Sequence, residues 1–186
     1  MQKRKIDILT KEGKKALIDS IIRVNHAGEY GARRIYEGQL AFTKDANTKS
    51  KIEEMHKQEL AHLNYFEQQI VENKARPTIL MPLWHVGGYA LGAITAFISK
   101  EAAMLCTQAV EEVIAEHYQE QIDDLEAYHI PGKEELAISI KRFRAEELEH
   151  KDIAEQNNAN QAPFNKLLTL SIQNLCRAAI ALSKRI

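Results

Sequence analysis

The sequence predicts an all-α protein: a four-helix bundle with additional membrane-associating helical segments. Three observations predict it. Gly (8) and Pro (4) are scarce and aromatics make up only 6% of the 186 residues, which disfavours a sandwich or barrel. Apolar residues recur at helical spacing over long stretches, and no useful length of strand-like alternation appears. Glutamates and histidines fall on those same apolar stripes in a repeating order. The length suits one domain over residues 1–186, built around one core.

The first helix spans roughly Lys11 to Phe42, with Ile18, Ile22, Ala32, Tyr36 and Leu40 on one stripe. The turn Lys44-Asp45-Ala46-Asn47 stops it. A second run covers roughly Thr48 to Lys74, with Ile52, Met55, Phe66 and Ile70 in line, and Pro77 closes the region. Residues 77–99 then carry no Asp, Glu, Lys or Arg. A membrane span needs about 20 apolar residues, but Pro77, Pro82, Gly87, Gly88 and Gly92 crowd this stretch. Segment 78–99 therefore reads either as a buried core helix or as an interfacial surface, with Leu83, Trp84, Ile94 and Phe97 among its anchors. The run continues as a helix to about Tyr128, where Pro131-Gly132 ends it. A fourth run covers roughly Lys133 to Gln156, and NNANQAP reads as a loop. A last amphipathic run, Phe164 to Ser183, ends in Lys184-Arg185, cations that suit a helix C-terminus.

Net charge is −1, with no basic stripe, so no nucleic-acid partner is expected. Cys106 and Cys176 are far apart in apolar stretches and read as buried reduced thiols in a reducing compartment. The start, MQKRKIDILTKEGKK, has no apolar core, so neither a secretory leader nor a transit peptide is expected there.

The chemistry lies in Glu-x-x-His. Residues three apart share a helix face, so one side chain can bridge two metal ions while its neighbour binds one of them. The chain holds four copies: Glu53/His56, Glu59/His62, Glu126/His129 and Glu147/His150. Periodicity chooses among them. Glu59 and His62 continue the stripe of Ile52, Met55, Phe66 and Ile70, and Glu147 and His150 continue that of Ile140, Phe143 and Ala154. Glu53/His56 falls on a polar stripe, and Glu126/His129 abuts a helix end. By the same test Glu29 lies in line with Ile22 and Tyr36. Glu111 lies in line with Met104, Thr107 and Tyr118, whereas Glu112 faces Gln108 and Glu116.

The resulting order is single, pair, single, pair: Glu29, Glu59/His62, Glu111, Glu147/His150. That is the ligand pattern of ferritin-like di-iron bundles. Four buried carboxylates would cost several kcal/mol each without compensation. Two divalent cations cancel them, and these hard oxygen donors suit iron or manganese better than a thiolate-type zinc site. Tyr118 faces the same stripe and, with His117 beside it, is a candidate for a catalytic role; a plain core Tyr fits Tyr118 equally well. Gly28 and Gly31, flanking Glu29-Tyr30 inside a helix, are expected to serve close helix packing.

The run RVNHAGEYGARRIYEGQL (Arg23–Leu40) closely resembles the signature of demethoxyubiquinone hydroxylases. So do RPTILMPLW, ALGAITAFISKEAAMLC, AVEEVIAEHY and FRAEELEHKD. The resemblance covers the chain from Ile21 onward. It implies a non-haem di-iron monooxygenase that hydroxylates the ring of a polyprenylated demethoxyubiquinone with O2, late in ubiquinone synthesis. The family's iron ligands fall on Glu29, Glu59, His62, Glu111, Glu147 and His150. Asn25 departs from the family, many of whose members carry Asp there. A polyprenyl quinone lives in the bilayer, so a peripheral membrane position is implied. The face would be the cytoplasmic side of a bacterial inner membrane, or the matrix side in a mitochondrion. Other ubiquinone-biosynthesis proteins are implied as partners. Electrons are expected from NADH or from the quinol itself; the chain has no GxGxxG or flavin motif, so any reductase is separate or absent.

Two rival readings share parts of the pattern. A ferritin- or rubrerythrin-like iron oxidase or store uses the same ligands but needs no lipid-facing patch. A metal-free helical membrane-interaction protein would bind no iron.

Overall fold

The computed structural model describes residues 10–186, which contain six α-helices and no strand. These are α1 (Lys11–Phe42), α2 (Ala46–Asn73), α3 (Met81–Ile98), α4 (Lys100–Tyr128), α5 (Glu134–Gln156) and α6 (Asn165–Ser183). The N-terminal stretch read above as no leader lies mostly outside the described residues.

Local chemistry sets the boundaries. Thr10 accepts the Gly13 N–H at 2.9 Å to open α1, and Asp45 accepts the Thr48 N–H at 2.8 Å to open α2. Helix α2 ends at Lys74 in the left-handed conformation (φ 52°), as helix C-termini commonly do. The single helical run expected through residue 100 is in fact two helices. Ser99 adopts extended backbone, terminates α3, and caps α4 by accepting the Ala102 N–H at 3.0 Å. The expected loop after α5 contains a 3-10 turn, Ala159–Gln161.

Helices α1 and α2 form one hairpin and α4 and α5 another, and the two face each other. Helix α3 lies against α1 and α4, and α6 against α4 and α1. Two apolar layers fill the bundle. One contains Ile22, Phe66, Tyr118, Ile140 and Phe143; the other contains Tyr36, Ile52, Met55, Met104 and Ala154. Each of the four bundle helices contributes to both layers, and the stretch between them on every helix carries the acidic and histidine residues.

The close contact of α1 with α3 includes Gly31, whose carbonyl oxygen lies 2.8 Å from where a Cβ on Gly88 would sit, and two further glycines. A Cβ on Gly92 would sit 1.9 Å from the Ile35 carbonyl oxygen, and one on Gly38 2.2 Å from that of Tyr89. At Gly28 and Gly31 a Cβ would meet nothing within 4 Å. Those two glycines also line a cavity of about 240 Å³. Its walls come from α1, α3, α4 and α6, with Ile35, Leu83, Trp84, Leu91, Ile114 and Ile172 among them.

Helix α3 is long and apolar enough to cross a membrane, by length and composition. Only Gly92, Thr95 and Ala96 are buried along it. Leu83, Val86, Ile94 and Phe97 are exposed, Phe97 by 79%, and α6 also exposes Leu167, Leu170 and Leu175.

Candidate metal centre

Glu29, Glu59, His62, Glu111, Glu147 and His150 are all buried, none more than 1% exposed. Their donor atoms form two groups in which every member lies within 4.8 Å of the others. One group is Glu29, Glu59, His62 and Glu147; the other is Glu59, Glu111, Glu147 and His150. Glu59 and Glu147 belong to both. This is the arrangement two neighbouring cations need: two shared carboxylates, with one further carboxylate and one imidazole for each ion.

The polar atoms are poorly satisfied by the protein itself. Glu29 Oε2, both oxygens of Glu59, His62 Nδ1, Glu111 Oε2 and Glu147 Oε1 make no well-oriented hydrogen bond among the described residues; His62 Nδ1 and Glu147 Oε1 meet only as an ion-pair contact within the cluster, as does Glu59 Oε1 with His150 Nδ1. Buried polar atoms are normally paired, so a converging group of six is a strong departure. The donors are oxygen and imidazole nitrogen, and neither cysteine belongs to the groups. The residues fit a pair of hard or borderline divalent ions.

Proton placement tells the same story. Burial, joined by the Glu147 charge, raises Glu59 well above the ordinary carboxylate range and pushes Glu111 up to about 8. Burial opposes charge on the histidines, but Glu147 and Glu29 outweigh it at His62, which is pushed up to about 12. Glu147 and Glu59 do the same at His150, which rises to about 11. Against burial, the two rings hold Glu147 down to about 2. Protons thus balance charge where cations would otherwise do so.

Hydrogen bonds to this layer cross between the hairpins. Tyr118 on α4 donates to Glu29 Oε1 on α1. Tyr36 on α1 donates to Glu111 Oε1 on α4 over 2.7 Å. His62 Nε2–H donates to Glu146 Oε2 at 2.5 Å, and His150 Nε2–H donates to Gln58 Oε1 at 2.6 Å. Both rings therefore turn Nδ1 toward the carboxylates: His62 Nδ1 is 3.2 Å from Glu147, and His150 Nδ1 is 3.1 Å from Glu59.

The remaining candidates are placed as follows. His117 accepts from Gln121 Nε2 at 2.7 Å and faces Glu120, with no polar contact to the six residues. Asn25 exchanges two hydrogen bonds with Gln121, at 2.8 and 2.7 Å, and reaches neither ligand-type histidine. Glu53, Glu126 and His129 are exposed. Sequence reasoning missed Tyr36 as more than a core residue, and missed Gln58 and Glu146 altogether. A signal existed for Tyr36: it follows Glu29 by the same seven residues that separate Tyr118 from Glu111. The apolar cavity adjoins the centre along the chain, because Gly28 and Val110, which line it, precede Glu29 and Glu111 directly.

Comparison with known proteins matches the sequence that builds this site to a family. Residues 16–183 match the family described as ubiquinone biosynthesis protein COQ7. The chain is 51% identical over 172 residues to the human NADPH-dependent 3-demethoxyubiquinone 3-hydroxylase, mitochondrial, covering 92% of this chain and 79% of that one. It is 46% identical over 173 residues to the 3-demethoxyubiquinol 3-hydroxylase of Rhodospirillum rubrum, with 92% and 79% covered. The 5-demethoxyubiquinone hydroxylase, mitochondrial, of Saccharomyces cerevisiae is 38% identical over 184 residues, again with 92% and 79% covered. With the family matched along nearly all its length and its relatives this similar, the chain belongs to the COQ7 family of ubiquinone biosynthesis proteins.

Proposed function

We propose that this chain is an O2-dependent di-iron monooxygenase that hydroxylates the ring of a polyprenylated demethoxyubiquinone during ubiquinone biosynthesis. One observation carries the reading: buried carboxylates and imidazoles converge in two overlapping groups with more carboxylate oxygens than the protein's own donors satisfy. The named relatives are hydroxylases of this quinone, which supports the same substrate class here.

In this reading Glu29, Glu59, His62, Glu111, Glu147 and His150 would hold two iron ions, Glu59 and Glu147 being common to both donor groups. When bound, the ions supply the activation of O2. The chain supplies the rest. Tyr118 and Tyr36 fix the two non-shared glutamates through their hydroxyls. The two apolar layers keep water from either end of the site, which strengthens every charge interaction inside. The cavity takes the apolar part of the quinone, and Gly28 and Gly31 leave it room. Tyr118, through its contact with Glu29, stands nearer the chemistry than His117.

The membrane role follows from the same surface. Exposed Leu83, Ile94 and Phe97 give α3 an apolar face, and Trp84 and Leu91 on that helix line the cavity. The segment 78–99 would lie in the membrane interface and pass the lipid quinone inward. The protein would then sit peripherally on the cytoplasmic or matrix face of an inner membrane. Reduced nicotinamide nucleotide, such as NADH, or the quinol provides electrons. An iron-storage role would leave this cavity and apolar face without use.

Anaerobic iron reconstitution tests the proposal. Two irons per chain and conversion of a short-chain demethoxyquinone to its hydroxylated product are expected. Fewer than two irons, or unchanged quinone after the reconstituted protein is exposed to O2 with an electron source present, would overturn it.

A further inference from the structure

The four crossed hydrogen bonds pair like with like except at one point. The single glutamates each receive a tyrosine hydroxyl. The histidines do not receive equal partners. Gln58 directly precedes Glu59 on α2 and accepts from His150; Glu146 directly precedes Glu147 on α5 and accepts from His62. One acceptor is a neutral amide and the other a carboxylate, itself 3.8 Å from Arg142 Nε.

We propose that Gln58 and Glu146 are positioning residues that make the two metal positions unequal, the position served by His62 and Glu29 binding its ion more tightly than that served by His150 and Glu111. This rests on the dinuclear reading above. Both partners hold Nε2–H outward and leave Nδ1 to face the shared carboxylates, so both fix the ring and the donor atom. They differ in how much electron density they leave on that atom. A carboxylate acceptor polarises the imidazole N–H more than an amide does, and the opposite nitrogen becomes the better donor. Removing such an outer partner typically lowers metal affinity about 10–100-fold. A change of acceptor type belongs at the lower end of that range.

The test is an anaerobic titration of the full chain with 57Fe(II), read by Mössbauer spectroscopy and by stepwise binding constants. In the parent protein, one equivalent of iron should give one dominant quadrupole doublet, with the two binding steps about tenfold apart. Glu146→Gln should weaken the tighter step about tenfold and populate two doublets nearly equally. Gln58→Glu should reach the same equality by strengthening the weaker step. The double swap should separate the steps again, with the other doublet dominant. Both substitutions are near-isosteric, and thermal melting of the metal-free variants checks that each folds; if one does not, the other carries the test. Uptake of fewer than two irons by the parent protein would sink the dinuclear reading itself. Uptake of two irons with a doublet pattern unmoved by either substitution would overturn this inference alone.

Discussion

The hydroxyl of Tyr36 on α1 donates to Glu111 on α4, and so gives that buried carboxylate a contact with the protein across the interface between hairpins. Tyr36→Phe removes the donor and keeps the packing. In the metal-free protein this leaves Glu111 Oε1 without it, at a cost of about 1–3 kcal/mol. Urea unfolding should show a lower midpoint with an unchanged slope.

Glu59 and Glu147 are common to both donor groups, so a change at Glu59 disturbs both positions. Glu59→Ala should abolish two-ion loading and hydroxylation together. His150→Ala should do the same through one position. Iron counted per chain and product formed are the measurements; a fully active variant would remove that residue from the ligand set.

The metal-free protein should lose stability as pH rises. Glu111 goes from an ordinary 4.5 to about 8 on folding, so its folded form holds the proton more firmly across that window. Stability therefore falls as pH climbs through it. His62 and His150, raised from 6.5 to about 12 and about 11, act the same way: their contribution is complete below 6.5 and is lost toward those values. Glu147 opposes this only at acid pH, its contribution being present above 4.5 and lost as pH falls toward about 2. The thermal midpoint of the metal-free chain should drop between about pH 6 and about pH 9. Iron should stabilise more at the higher pH, because it displaces protons.

The glycines of α1 and α3 should separate cleanly by substitution. Gly92→Ala places a Cβ 1.9 Å from the Ile35 carbonyl oxygen, against backbone that cannot yield without moving α3 from α1. It should destabilise by at least about 1–3 kcal/mol. Gly28→Ala meets open space and should be neutral or stabilising by up to about 1 kcal/mol. Thermal melts of the two variants make the comparison.

A larger side chain at the same place should act on substrate. Gly31→Leu would project into the cavity without touching the metal groups. Iron loading should be unchanged, and KM for a long-tailed quinone should rise by about tenfold, equivalent to roughly 1.4 kcal/mol of lost binding. A short-chain quinone should be affected less.

Much of this was readable in the sequence, for a definite reason. The ligand-type residues share the 3.6-residue period of the apolar stripes, and Ile22–Glu29–Tyr36 or Met104–Glu111–Tyr118 marks an inward line without any structure. Gln58 and Glu146 lie one residue off such lines, so their side chains leave the stripe sideways toward the other hairpin. Only the spacing between helices decides what they reach. The break at Ser99 was harder to see because apolar residues continue on both sides; a Ser followed by Glu101 in the first turn is the cue. Gly28 and Gly31 carry no periodic signal that distinguishes a tight contact from open space, and their role needed coordinates.

The crossed partners also bear on the order in which the molecule is made. Neither hairpin by itself can hold its own histidine or steady its own lone glutamate, since each relies on a side chain from the other. An emerging N-terminal half would present Glu29, Glu59 and His62 as loose, misaimed groups with little grip on a passing ion. On the dinuclear reading, docking of the halves would precede loading, and a reactive metal pair would arise only inside a finished, water-excluding enclosure.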